Sequence, residues 1–190
     1  ALTVLECNGN ELTTLDVSKN ISLERLYCHF NKLSRINVTA NTALEKFNVS
    51  DNLISALNIR NNTALWFLNV SNNKELSMVD VINNTALKIL CCNGLAIGEL
   101  NIVNNTSLTK LECHSNPNLT TLTCNDAFDF TTTHISINKG LYILSESGGV
   151  LVPSIGDLIT VNLGRGVVFY TSGTSFKIVS DSETFSYWDD

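Results

Sequence analysis

The six cysteines and three histidines of this 190-residue chain are its residues best suited to bind a metal or act as nucleophiles. Cys28-His29 and Cys113-His114 each set a thiol beside an imidazole, and Cys91-Cys92 sets two thiols side by side. Such pairs are the raw material of a zinc site or of a thiolate activated by a neighbouring base. Their chemistry depends on which way each side chain points, and the surrounding sequence bears on that directly. LTVLECNGNEL (Leu2 to Leu12), LERLYCHFNKL (Leu23 to Leu33) and LTKLECHSNPNL (Leu108 to Leu119) are versions of one phrase.

The phrase is periodic. Leu2, Leu23, Leu44, Leu65, Leu87 and Leu108 are separated by 21, 21, 21, 22 and 21 residues, and Leu5, Leu26, Phe47, Leu68, Leu90 and Leu111 keep the same steps. A third column reads Cys7, Cys28, Val49, Val70, Cys92 and Cys113. A fourth reads Asn10, Asn31, Asn52, Asn73 and Asn116, with Leu95 where the fifth asparagine belongs. The second half of each unit is a short alternating run closed by Asn: LDVSKN, INVTAN, LNIRNN, VDVINN and LNIVNN. Alternation rich in β-branched residues is a strand pattern, and a unit of about 21 residues leaves little chain for a helix. The expected unit is a flat coil with one strand going out and an extended return side, a candidate for a second narrow parallel ladder. It cannot bury its apolar residues alone, so coils must stack about 4.8 Å apart, with Asn at both corners bonding backbone groups that leave the ladder.

These positions separate the cysteine-histidine pairs. Cys7, Cys28, Cys92 and Cys113 share a column with Val49 and Val70 and are expected to point inward as small apolar residues. Ladder-mates such as Cys7 and Cys28 have parallel Cβ vectors, which suits a disulfide poorly; Cys113 and Cys124 are the better candidate pair. Cys91 falls on an outward slot and is the thiol expected to be exposed. His29 and His114 point outward but stand four coils apart, roughly 19 Å, too far for one metal ion or one proton relay. No nucleophile elbow, HExxH, Walker or dinucleotide motif occurs, so the reading is non-catalytic, with no metal and no cofactor. Asp16, Asn37, Asn58, Asp80 and Asn101 form an outward column on the return side, where a solvated face is the reading preferred over calcium.

The phrases quoted above, with LDVSKN and NTAL in the second half, resemble the leucine-rich repeat, with Cys or Val in the third apolar slot. They look like repeats of surface and secreted proteins of Bacteroides-type anaerobes, and more loosely like internalin adhesins. The resemblance covers Leu2 to about Cys124. It implies a mainly β, right-handed solenoid of about six coils over residues 1–124, exported to the cell surface or secreted and used in adhesion or protein binding. Residues 125–190, where the period stops, read as a small β-rich capping unit with strands near 134–138, 141–145, 158–163, 166–171 and 176–180.

Composition narrows the partner. Hydrophobic residues make up 44% of the chain and charged residues 16%, net charge is -6, and no basic cluster is present, which argues against nucleic acid. No apolar run is long enough to span a membrane as a helix. The opening ALTVLECNGN starts inside a repeat and carries no leader pattern, so the chain reads as a mature fragment. What differs from coil to coil is the outward face of the first strand. The candidate ligand-binding residues there are Arg25, Tyr27, His29, Phe30, Lys46, Asn48, Phe67, Asn69, Lys110, Glu112 and His114. Tyr27, Phe30 and Phe67 with Arg25 and Lys46 have the composition of a protein-binding hot spot. A second reading uses the same aromatics with Trp66 as stacking platforms for a glycan.

Overall fold

The computed structural model describes residues 1–126, 128, 134–136, 142–145, 167–172 and 175–180, with side-chain detail through residue 136. The described residues contain strands and turns and no helix. Seven strands form one parallel sheet in the order β1 (Val4–Glu6), β2 (Arg25–Tyr27), β3 (Lys46–Asn48), β4 (Phe67–Asn69), β5 (Ile89–Cys91), β7 (Lys110–Glu112) and β9 (His134–Ser136). Pairing is in register with the repeat: Leu5, Leu26, Phe47, Leu68, Leu90 and Leu111 follow one another across the sheet, and Ile135 continues the line. The chain is thus a leucine-rich-repeat solenoid of about six turns.

The return side is extended, as its alternation predicts, but among the described residues it forms a ladder only at two places. A single parallel bridge pairs Asp16 with Asn37 in the first two coils. Further along, β6 (Glu99–Asn101), β8 (Thr121–Cys124) and β10 (Tyr142–Ser145) make a three-stranded parallel sheet. The Asp/Asn column of this side turns its oxygens to its own backbone. Oδ1 of Asp16, Asn37, Asn58, Asp80 and Asn101 each accepts the N–H two residues on, at 2.9 to 3.3 Å, so these side chains set the bend into the second corner.

Both ladders run on past Cys124, the first through β9 and the second through β10, although the sequence period has ended. β11 (Val167–Ser172) and β12 (Ser175–Ser180) fall on the strands expected near 166–171 and 176–180 and pair antiparallel. The strand expected over 158–163 and the tail containing Trp188 lie outside the described residues.

The core is the space between the two sides of the stack. Leu26, Phe47, Leu68, Leu90 and Leu111 from the first strand meet Val17, Val38, Ile59, Val81 and Ile102 from the return side, all buried. Cys28, Cys92 and Cys113 are buried in the same column as Val49 and Val70, and Cys7 is half-buried in the end coil. All are thiols. Cys92 and Cys113 hydrogen-bond one another, and that bond, then burial, holds the Cys92 pKa well above the ordinary thiol value. Cys113 and Cys124, the pair favoured for a disulfide, are likewise both thiols and both buried.

The corners carry the polar bookkeeping of the fold. At the first corner Nδ2 of Asn31, Asn52 and Asn73 donates to a carbonyl of the preceding coil (Cys7, Cys28 and Val49), each at 3.0 Å. Oδ1 of the same residues accepts the N–H of Leu12, Leu33 and Ile54, each at 2.9 Å. At the second corner Nδ2 of Asn41, Asn62, Asn84 and Asn105 donates twice to the preceding coil, at 2.8 to 3.0 Å. Their Oδ1 atoms are buried and accept no hydrogen bond among the described residues.

Two departures from the repeat are one adaptation. The inserted residue at Lys74-Glu75 lets the Leu76 N–H turn back onto the Asn73 carbonyl at 2.9 Å. Leu76 stands where Leu12, Leu33 and Ile54 stand in earlier coils, and its N–H needs no asparagine from the next coil. The next coil offers none: it has Leu95 there, almost fully buried. A wider turn replaces the missing amide.

Candidate functional site

The outward side chains of the first sheet form two rows fixed by strand register. One reads Val4, Arg25, Lys46, Phe67, Ile89, Lys110 and His134; the other reads Glu6, Tyr27, Asn48, Asn69, Cys91, Glu112 and Ser136. A third row, beyond the strands, carries His29 and His114. The residues singled out in the sequence sort into three groups and a spacer.

In the second coil, Arg25 is exposed, and Tyr27 and His29 are half-exposed. Among the described residues Arg25 makes no ion pair. Phe30 is 60% exposed, and its ring meets the His29 ring edge-on at 5.5 Å between centroids. Nδ1 of His29 is buried and has no hydrogen-bond partner among the described residues.

In the third and fourth coils, Lys46 Nζ lies 4.4 Å above the centre of the Trp66 ring, a cation–π contact, and Trp66 meets Phe67 edge-on at 6.3 Å. Trp66 does not belong to the outward rows. It stands just before β4, between Glu45 and Lys88 of the adjacent coils, and borders a shallow depression of about 410 Å³ floored by Ala64 and Ala86. The rings grouped in the sequence as stacking platforms therefore face different ways: Tyr27 and Phe67 on the strand rows, Phe30 at a corner, and Trp66 beneath a lysine on the other margin. Asn48 and Asn69 spend their Oδ1 atoms on the N–H groups of Ser50 and Ser71, at 3.1 and 3.0 Å, and form a short polar stretch between these groups and the next.

In the fifth and sixth coils, Lys110, Glu112 and His114 belong to one network. Lys110 Nζ pairs with Glu112 Oε1 at 2.7 Å, and Asn93 Nδ2 donates to Glu112 Oε2 at 3.4 Å. Asn93 Oδ1 accepts the His114 N–H at 3.0 Å, and His114 Nδ1 lies 3.0 Å from Ser115 Oγ. Cys91 corrects an expectation. It sits on the outward row, yet it is only 7% exposed, because the Glu112 beside it in register covers it and accepts a hydrogen bond from its thiol. Burial, reinforced by the Glu112 charge, pushes the Cys91 thiol up to about 12. Glu112 moves the other way: burial acts to raise its pKa, but the bonds from Lys110, Cys91 and Asn93 outweigh it, and the carboxyl sits below its ordinary value. An inert, protonated thiol is a packing group, not a nucleophile. Among the described residues no group of three or more His, Cys, Asp and Glu is placed to hold a metal ion, and no helix is long and apolar enough to cross a membrane.

One feature of this face was missed when the sequence was read strand by strand. After each of the first six strands of this sheet the chain turns through one residue with left-handed backbone: Gly9, Phe30, Asp51, Asn72, Gly94 and Ser115, with φ between 52° and 67°. Gly94 is needed for space as well, since a Cβ there would come within 2.6 Å of Asn72 Oδ1. The signal was present in the column, where Gly, Asp, Asn and Gly mark the special geometry. Phe30 stands out only once the column is drawn.

No protein-family model and no curated protein matched the chain in the searches made. Solved structures did. The functional domain of InlJ from Listeria monocytogenes, described as including a cysteine ladder, is 29% identical with a TM-score of 0.66, covering 81% of this chain and 36% of that one. A leucine-rich-repeat protein of Leptospira interrogans has TM-score 0.54 at 19% identity, over 76% of this chain and 36% of its own. An internalin, InlF, of Listeria monocytogenes has TM-score 0.52 at 19% identity, over 73% and 54%. The chain thus spans about a third of the first two and about half of the last; the two at 19% identity speak for the fold alone. In this chain the thiols of Cys7, Cys28, Cys92 and Cys113 stand in one inward column, interrupted by Val49 and Val70.

Proposed function

For a bacterial leucine-rich-repeat protein of internalin-like architecture, we propose a non-catalytic role: a protein-binding module, displayed at the cell surface or released, whose outward strand face is the ligand surface. The observation that carries this reading is the contrast between the two faces of one sheet. Inward, six successive coils present only Leu, Phe, Val or Cys; outward, the alternate positions of the same strands present Arg25, Lys46, Phe67 and Ile89 in one row and Tyr27, Asn48, Asn69 and Cys91 in the next. A rigid scaffold with a varied face offers many contacts at little ordering cost, which favours recognition of a large surface. Half-exposed aromatics with unpaired or cation–π-engaged basic residues are the composition of interface anchors. Adhesion to a host or neighbouring-cell protein is the use that fits an internalin-like module. The divergent ring orientations give no reason to prefer a glycan.

The test compares the chain with an Arg25→Ala, Tyr27→Ala, Phe67→Ala triple variant for binding to immobilised cell-surface proteins by biolayer interferometry. The variant should lose at least tenfold in affinity while unfolding at a similar urea concentration. Equal binding by the two proteins would place the ligand surface elsewhere.

A further inference from the structure

We infer that Phe30 is the anchor of this face, and that it grips an apolar side chain on a partner segment that carries an acidic residue a few positions further along. The inference rests on the reading of the outward face as the ligand surface and sharpens it to one residue and one kind of partner.

Left-handed backbone is unfavourable for any residue with a Cβ; glycine adopts it freely, and the short polar residues come next. Five of the six turns follow that rule, with Gly9, Asp51, Asn72, Gly94 and Ser115. The second coil places a phenylalanine there, at φ 52°, an outlier for a bulky side chain. The fold returns little for it. The ring is mostly in solvent. Its ladder neighbour on one side, Gly9, has no side chain, and on the other the Asp51 carboxylate is taken by Asn72 Nδ2 at 2.8 Å. The residue before it, His29, buries a ring nitrogen without a partner among the described residues. Beyond the edge-on contact between these two rings, little packing offsets the conformational and desolvation costs of the pair, and such costs persist where function requires them.

Charge further along the same face defines the rest of the partner, since Arg25 opens β2 five residues before Phe30. Arg25 and Lys46 stand in register on adjacent strands, and Arg25 is exposed and without an ion pair among the described residues. Two neighbouring cations on a chain of net charge -6 favour a carboxylate on the incoming segment. Tyr27, in the same coil, supplies a second aromatic surface beside them.

A phage-displayed library of random dodecapeptides, panned on the 190-residue chain, tests this. Enriched peptides should share an apolar residue with an Asp or Glu a few positions away. Their affinity should fall at least tenfold on Phe30→Gly and on Arg25→Ala. Phe30→Gly, and Phe30→Asn, which restores the residue type of the fourth coil, should unfold at a urea concentration equal to or above that of the parent. A lower midpoint for both Phe30 variants would mean that the ring serves the fold, and would overturn the inference. Peptides that bind Phe30→Gly like the parent but lose Tyr27→Ala would overturn the anchor and leave the strand-face reading standing. Peptides indifferent to Phe30→Gly and to the Arg25, Tyr27, Phe67 triple variant would overturn both, and a panel with no Arg25-dependent peptide would overturn the acidic partner.

Discussion

Replacing Asn52 by alanine tests whether the corner amides hold the coils together. Asn52 is 5% exposed and makes four hydrogen bonds: Nδ2 to the carbonyls of Cys28, Val49 and Ser50 at 3.0, 3.1 and 3.1 Å, and Oδ1 from the Leu33 N–H at 2.9 Å. The three carbonyls each keep another donor, Asn31 Nδ2, Asn73 Nδ2 and the Phe30 N–H respectively, at 3.0 to 3.1 Å. The Leu33 N–H keeps none. The dominant cost is therefore one orphaned, buried backbone donor, about 1 to 3 kcal/mol. With a urea m-value of about 2 kcal/mol/M, the midpoint should drop by about 1 M for a central value of about 2 kcal/mol. Asn10→Ala is the matched control, since the Asn10 amide bonds only the Cys7 and Asn8 carbonyls, is exposed, and lies at the end of the stack. Its cost should stay within about 0.5 kcal/mol. Urea titration followed by far-UV circular dichroism measures both, and equal midpoints for Asn52→Ala and Asn10→Ala would refute the corner mechanism.

Three further outcomes follow from the same geometry. Restoring the repeat consensus with Leu95→Asn should destabilise by about 1 to 3 kcal/mol in the same titration, because the Leu76 N–H is already bonded to Asn73 and a buried polar group would be added without that partner; a raised midpoint would contradict the link between the wide turn and the missing amide. Iodoacetamide labelling of the native chain, read by peptide mass spectrometry, should modify Cys7 ahead of Cys91 and Cys28, both of which are buried with thiols pushed up to about 12; early labelling of Cys91 would show that Glu112 does not cover it. Because the Glu112 carboxyl lies below its ordinary value when folded, its contribution is complete above the unfolded-state pKa and is lost as pH falls through the folded value. The difference in urea midpoint between the parent and Glu112→Gln should therefore be constant near neutrality and close on acidification below the usual glutamate range, and a gap that widened instead would reverse the assigned sign.

The stack was legible in the sequence because its core is one-dimensional: a column of Leu5, Leu26, Phe47 and Leu68 fixes strand, register and inward face together. Cys28 and His29 were separable for the same reason. What alternation could not supply was lateral cover. Cys91 points outward by strand parity, but whether an outward thiol is wet depends on the length and rotamer of its neighbour, and Glu112 folds over it. The continuation of both ladders through β9 and β10 was hidden because those strands keep the backbone geometry of the repeat without its leucine and asparagine columns. Of the candidate residues, Lys110, Glu112 and His114 share a network that no spacing rule announces. The backbone cost at Phe30 became visible only from φ, although the glycines at 9 and 94 stand in the same column.

The corner amides also bear on the order in which the molecule is built. Each reaches toward the N-terminus: Asn31 to Cys7, Asn41 to Val17, Asn52 to Cys28, Asn62 to Val38 and Asn73 to Val49. A coil is closed by the one synthesised after it. On a ribosome adding about 5 to 20 residues per second, a new coil of 21 residues arrives every one to four seconds. Growth then resembles laying courses of brick, with open bonding confined to the top course and no segment waiting for a partner from far along the chain.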